Sequence, residues 1–201
     1  MRKSKLSDEV VPEMEFRANF TQHGFVVSPG TRRCQNQRTF RAANQKIYGG
    51  FKMIDGVLIT PLSQIADERG KVMHMLKSSD PHFQQFGEIY FSCVFPDAVK
   101  AWHYHEKMVL NYAVPFGRIK FVLFDDRPES PTRGEVQELF LGEENYWLVT
   151  VPKRVWNGFK GVGTQMAIVA NCASIPHDPT EIMRRDPKDE YFPYNWQIVH
   201  R

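Results

Sequence analysis

Lys100-Ala101-Trp102-His103-Tyr104-His105 sets two imidazoles two residues apart in a run that favours extended chain. Successive side chains of a strand point to opposite faces, so His103 and His105 share one face while Trp102 and Tyr104 share the other. Further β-rich runs lie on either side, at Val57–Thr60, Lys71–Leu76, Glu88–Phe95, Met108–Val114, Arg118–Asp125, Val136–Leu141, Tyr146–Val151 and Met166–Ala170. Turn chemistry separates them at Asp80-Pro81, Pro96-Asp97, Pro115–Gly117, Arg127–Gly134 and Lys160–Gly163. Many short strands with tight links and no helical repeat between them predict an all-β sandwich or barrel. Helix is expected only at Pro179–Arg185, with Asp178 as N-cap and Glu181 three residues further on.

With 201 residues, the chain has length for one well-buried core. The barrel is assigned to residues 56–201, and residues 1–55, with weak periodicity and turns at Ser28-Pro29-Gly30 and Gly49-Gly50, to an N-terminal extension or arm. That arm holds the basic excess, ten Lys and Arg against five Asp and Glu, but it carries no nucleic-acid-binding signature. No nucleic acid partner is expected. No apolar run approaches the ~20 residues of a membrane helix, so no membrane association is expected either. Met1–Glu9 is basic and then acidic without an apolar centre, which is not the pattern of a secretory signal; the cytoplasm is the expected location. Cys34, Cys93 and Cys172 are odd in number and far apart, and read as buried thiols rather than a disulfide framework or a thiolate zinc site.

Two imidazoles on the inward face of a barrel suit three roles: metal ligands, an acid/base pair, or a hydrogen-bonded polar patch. A metal would need a third ligand. The positions after the pair are Val109 and Leu110, Asn157 stands in the later strand where an imidazole would serve, and Glu106 points to the opposite face. No metal and no cofactor are therefore expected.

Motifs spread along the chain resemble, in order and spacing, those of the dTDP-4-dehydrorhamnose 3,5-epimerase family. Asp67-Glu-Arg69-Gly70 is similar to its D-x-R-G, Glu88-x-Tyr90-x-Ser92 stands in place of Q-x-N-x-S, and Lys100–Tyr104 resembles R-G-L-H-Y. Asp125-Asp-Arg127 resembles D-L-R, Ser130-Pro-Thr132 with Gly134 resembles S-P-T-x-G, and Pro152–Phe159 resembles P-x-G-x-x-H-G-F. Pro193-Tyr-Asn-Trp196 is similar to the closing P-Y-D-W, so the likeness runs from about residue 57 to 196.

The resemblance implies a cupin-type jelly-roll barrel, a homodimer, and a small-molecule nucleotide-sugar substrate in surface polysaccharide or deoxysugar biosynthesis. The reaction implied is metal-independent removal and return of a proton beside the 4-keto group of a nucleotide-linked deoxy sugar. His103 takes the place of the family's base, and Arg69 and Lys100 stand where it places cations for the diphosphate. Glu88, Tyr90 and Asn157 fall on its substrate-binding strands. The family's Tyr, Lys, orienting carboxylate and second His fall at Thr150, Leu110, near Ser174 and at Asn157; its base-stacking aromatic and the acidic position nearby fall at Val72 and His74. His105 is the expected catalytic partner of His103, with Tyr112 or Tyr146 as a source of a phenol and Lys107 or Lys120 as a cation. Two other readings stay open, a 3,4-ketoisomerase of nucleotide sugars and a non-catalytic binding protein on the same scaffold.

Overall fold

The computed structural model describes residues 53–197, which form twelve strands. These are β1 (Leu58–Pro61), β2 (Gln64–Asp67), β3 (Gly70–Met73), β4 (Glu88–Val94), β5 (Val99–His105), β6 (Leu110–Phe116), β7 (Arg118–Phe124), β8 (Val136–Gly142), β9 (Trp147–Val151), β10 (Trp156–Gly161), β11 (Ala167–Ala173) and β12 (Ile182–Arg184). Two five-stranded sheets, ordered β1-β9-β6-β11-β4 and β12-β5-β10-β7-β8, face each other, and β2-β3 forms a separate hairpin. From β4 to β11 the chain crosses repeatedly between the sheets, which is the jelly-roll arrangement expected. The expected arm lies, except for residues 53–55, outside the described residues.

Alternation along the strands fills the space between the sheets. Ile119, Phe121 and Leu123 of β7 point into the core with Leu110, Tyr112 and Val114 of β6, Val149 and Val151 of β9, and Phe159 of β10. Each such buried aliphatic or aromatic side chain stabilises the fold by about 2 kcal/mol. The alternate residues of β5 and β7, Trp102, Tyr104, Val122 and Phe124, pack outward beneath the chain's last described segment. There Phe192 stacks on Trp102 with ring centroids 4.3 Å apart, and Trp196 lies 5.1 Å from the same ring. Trp102 and Tyr104 thus turn away from the two histidines, as period-two alternation requires.

The Asp125-x-Arg127 and Ser130-x-Thr132 elements are structural. The Asp125 carboxylate accepts from Arg127 Nε and Nη2, each at 2.8 Å, from Ser130 Oγ at 2.5 Å and from Thr132 Oγ1 at 2.6 Å. Burial by itself raises the pKa of this carboxyl, but those donors outweigh it and hold the group down at about 2. Arg127 Nη2 also donates to the Asp55 carbonyl at 2.7 Å, tying the start of the barrel to the β7–β8 loop.

Three elements differ from expectation. Residues Pro179–Arg185 are not helical: Ile182–Arg184 form β12, paired antiparallel with β5. Seven residues are too few to hold a helix on their own, and the open edge of β5 offers a ladder instead. The strand expected at Lys71–Leu76 is Gly70–Met73, hairpinned to an unexpected partner, Gln64–Asp67. β10 is missing from the β-rich runs, because Trp-Asn-Gly-Phe-Lys-Gly breaks the apolar alternation, and only the family resemblance places Asn157 on a strand; it is buried throughout between β5 and β7.

Candidate active site

A bulge in β5 decides which of its residues face the interior. Asn157 of β10 pairs with His103 and Phe159 with Lys100, so Ala101 and Trp102 together oppose Gly158 alone. The extra residue reverses the alternation, and Lys100 falls on the same inward face as His103. Gly158 makes room for the bulge, since a Cβ there would lie 2.3 Å from Ala101 Cβ. Lys100 Nζ then donates to Ser92 Oγ of β4 at 3.0 Å, across the gap between the two sheets.

One layer of the barrel carries most of the candidate chemistry. In one sheet the register places Arg184, His103 and Asn157 side by side on β12, β5 and β10. In the other it places Tyr90, Asn171 and Tyr112 side by side on β4, β11 and β6. Tyr112 Oη donates to Asn157 Oδ1 at 3.4 Å, which joins the two sheets on one side of the layer. On the opposite side, where the Lys100–Ser92 contact marks the approach of β5 to β4, Tyr90 is 40% exposed and His103 half-buried, so this is the more open side of the layer.

The imidazole of His103 makes no hydrogen bond among the described residues; its carbonyl accepts from Asn157 Nδ2 at 3.2 Å. Burial, then the charges of Arg184, His105 and Lys100, depress its pKa to about 4. It is therefore a neutral base in a cationic surrounding at physiological pH.

His105 is held differently. Its Nδ1 lies 2.5 Å from Glu181 Oε1, with both side chains almost entirely buried. Glu181 Oε2 accepts from the backbone N–H groups of Lys107 and Met108 at 3.0 and 3.3 Å. Burial raises the Glu181 pKa, but the bond from His105 and those from the backbone lower it further, so the carboxylate stays ionised. An ionised carboxylate only accepts, so Nδ1 carries the hydrogen and Nε2 is left as the ring's free position. The turn that presents Glu181 is built by Asp178, whose Oδ1 accepts from Thr180 N at 2.8 Å and from Thr180 Oγ1 at 2.6 Å. Glu181 is the partner of His105 that sequence reasoning missed: reading Pro179–Arg185 as a helix capped by Asp178 made it a capping residue.

The other expected residues separate cleanly. Glu88 and Tyr90 project from β4 toward the interior with Ser92, their register partners being Ala173, Asn171 and Val169. Asn157, expected to contact substrate, is fully buried, with its amide bonded to Tyr112, His103 and Val155; it supports the wall instead. Arg69 sits at the tip of the β2–β3 hairpin, where its exposed guanidinium pairs with Asp67, and the structure does not bring it to the others. Thr150 faces away from the core that takes Val149 and Val151, donating to Asn111 Oδ1 at 2.8 Å. Leu110 is core, and Ser174 Oγ accepts from Val109 N at 2.9 Å. Tyr146 packs in an outer cluster with Ala113 and Leu148, Lys120 lies under Tyr194 on the outer face, and Lys107 reaches Glu181 through its backbone alone. Among the described residues no three His, Cys, Asp or Glu side chains converge on a common point.

The family model described as dTDP-4-dehydrorhamnose 3,5-epimerase matches residues 52–200. The chain belongs to this family. Among curated relatives, the probable low-salt glycan biosynthesis epimerase Agl13 of Haloferax volcanii is 32% identical over 144 residues, 71% of this chain and 89% of that protein. The spore coat polysaccharide biosynthesis protein SpsL of Bacillus subtilis is 33% identical over 153 residues, 74% of this chain and all of its own length. The crystal structure of a dTDP sugar isomerase from Desulfovibrio desulfuricans G20 is 43% identical, with a TM-score of 0.70 over 73% of this chain and 95% of that one. Within this epimerase family the chain keeps the cupin-type jelly roll.

Proposed function

We propose that the protein is a metal-independent epimerase of a 4-keto, nucleotide-linked deoxy sugar, acting in the cytoplasm in the biosynthesis of a surface glycan. The observation that carries this reading is the neutral imidazole of His103 set between Lys100 and Arg184 at the open side of the layer. A hydrogen on carbon beside a ketone is acidic because the resulting electron pair moves to the ketone oxygen. His103 takes that proton, and the diphosphate of the bound substrate offsets the charge the ring gains. Lys100 and Arg184 suit the two phosphates of a sugar nucleotide, which cancel their charge and make His103 a stronger base once substrate is bound. The biosynthetic role draws on the relatives, which are named for glycan and spore coat polysaccharide biosynthesis. The cytoplasmic site of action follows from the substrate class, since charged sugar nucleotides do not cross membranes unaided.

A homodimer belongs to the same proposal. β4 is the last strand of its sheet, and its outward face exposes Ile89 and Phe91, flanked by Phe86 two residues before the strand and by Phe95 just after it. A second copy of this chain would cover that apolar edge.

The reading is tested by incubating the protein with dTDP-4-keto-6-deoxyglucose in deuterium oxide and following the sugar by NMR. Deuterium is expected at C3 or C5 together with an inverted centre. A ketone moved to C3 would instead support a 3,4-ketoisomerase, and binding without any label would reduce the protein to a sugar-nucleotide carrier.

A further inference from the structure

We infer that Tyr90 is the proton donor that completes inversion, placed on the sheet opposite the base. This rests on the epimerase reading. Epimerisation needs the proton to leave one face of the sugar carbon and a proton to arrive on the other, so acid and base must stand on opposite sides of the ring. His103 comes from β5 in one sheet and Tyr90 from β4 in the other. Lys100 Nζ meets Ser92 Oγ at 3.0 Å between the same two strands. Moving away from that contact by two residues on β4 reaches Tyr90, and by the bulged step on β5 reaches His103. The two residues therefore face each other across the open side of the layer.

The hydrogen bonds give Tyr90 the right polarity. Its oxygen accepts from Asn171 Nδ2 at 2.9 Å and from the buried Tyr112, whose pKa that bond raises, so its own hydrogen remains to be given, and the same donors stabilise the phenolate left behind. In the return step the Tyr90 O–H bond breaks, a C–H bond forms on the face away from His103, and the enolate electron pair supplies that bond while the ketone is restored. The phenolate, on a side chain 40% exposed, recovers a proton from water, and His103 gives its own to water.

The other phenols among the described residues are excluded by position. Tyr112 is enclosed, its hydroxyl committed to Asn157 Oδ1 and to Tyr90, and burial, then the neighbouring Tyr90, push its pKa well up. Tyr104 and Tyr194 belong to the outer aromatic layer, Tyr191 donates to Asp126 at 2.6 Å outside the barrel, and Tyr146 lies in the outer cluster. Thr150, at the position of the family's Tyr, faces away from the core.

The test compares wild type with Tyr90→Phe in deuterium oxide, measuring solvent label entering the unreacted substrate separately from formation of the inverted sugar. Tyr90→Phe is expected to keep washing in deuterium, because His103 still removes and returns a proton on its own face. Inversion is expected to fall on the order of 10²-fold or more. Tyr146→Phe, changed on the outer cluster, is expected to invert at the wild-type rate and controls for loss of a phenol as such. Inversion by Tyr90→Phe at the wild-type rate overturns the assignment. So does an equal loss of exchange and inversion in a variant with the wild-type melting temperature, which would make Tyr90 a binding residue. Absence of exchange in the wild type sinks the epimerase reading, and the role of Tyr90 with it.

Discussion

His103 sits in a setting that lowers its affinity for protons. Its pKa falls from 6.5 to about 4, through burial first and then Arg184, His105 and Lys100. Because the folded value is depressed, the stability gained from keeping the ring neutral is complete above about pH 6.5 and is lost as the pH falls toward 4. The same shift sets the expected kinetics. The acidic limb of kcat/KM, which reports the free protein, should fall near pH 4, and that of kcat should lie higher, since bound diphosphate offsets the two cations. Two coincident limbs near pH 6.5 in the pH–rate profiles would remove His103 as the base. At this scale the sequence was readable where a rule of spacing applied: His103 and His105 share a face because they are two apart on a strand. Glu181 was not readable, because nothing local announces that a carboxylate 76 residues away will close on His105.

Strands are where sequence and structure part most. β4 to β9 announce themselves by apolar alternation and turn residues, whereas β10 carries two glycines, a lysine and an asparagine inside one strand. Burial against β5 and β7 makes it a strand, and that is a property of its neighbours. Gly158 is the residue most constrained by them. In Gly158→Ala the added methyl would meet Ala101 and force the bulge of β5 to shift, at a cost of about 1–3 kcal/mol. Because the bulge turns Lys100 inward, dTDP binding should weaken along with the melting temperature. Titration calorimetry and thermal denaturation read the two effects; a variant equal to wild type in both would show that the bulge does not position Lys100. β12 makes the converse point. Pro179–Arg185 reads as a capped turn of helix in isolation, and the unpaired edge of β5 decides otherwise.

The whole barrel was legible from the rhythm of short strands and turns, since only a sheet folded over on itself hides so many half-apolar strands. What covers its last edge was not. Phe91, 63% exposed on the outer face of β4, is expected to sit at the centre of contact with a second copy. Phe91→Lys should convert a dimer to a folded monomer in sedimentation velocity, with an unchanged circular dichroism spectrum; a monomeric wild type would refute the arrangement. A different consequence follows from the division of the layer between two sheets. His103, Arg184 and Lys100 ride on one slab, Tyr90 and Ser92 on the other, and the thickness of Phe121, Phe159, Leu110 and Val169 keeps the slabs apart. In the proposed epimerase the filling of the barrel is thus a spacer that sets the width of the gap offered to the sugar. A change of substrate size is open to this protein through residues that never touch substrate.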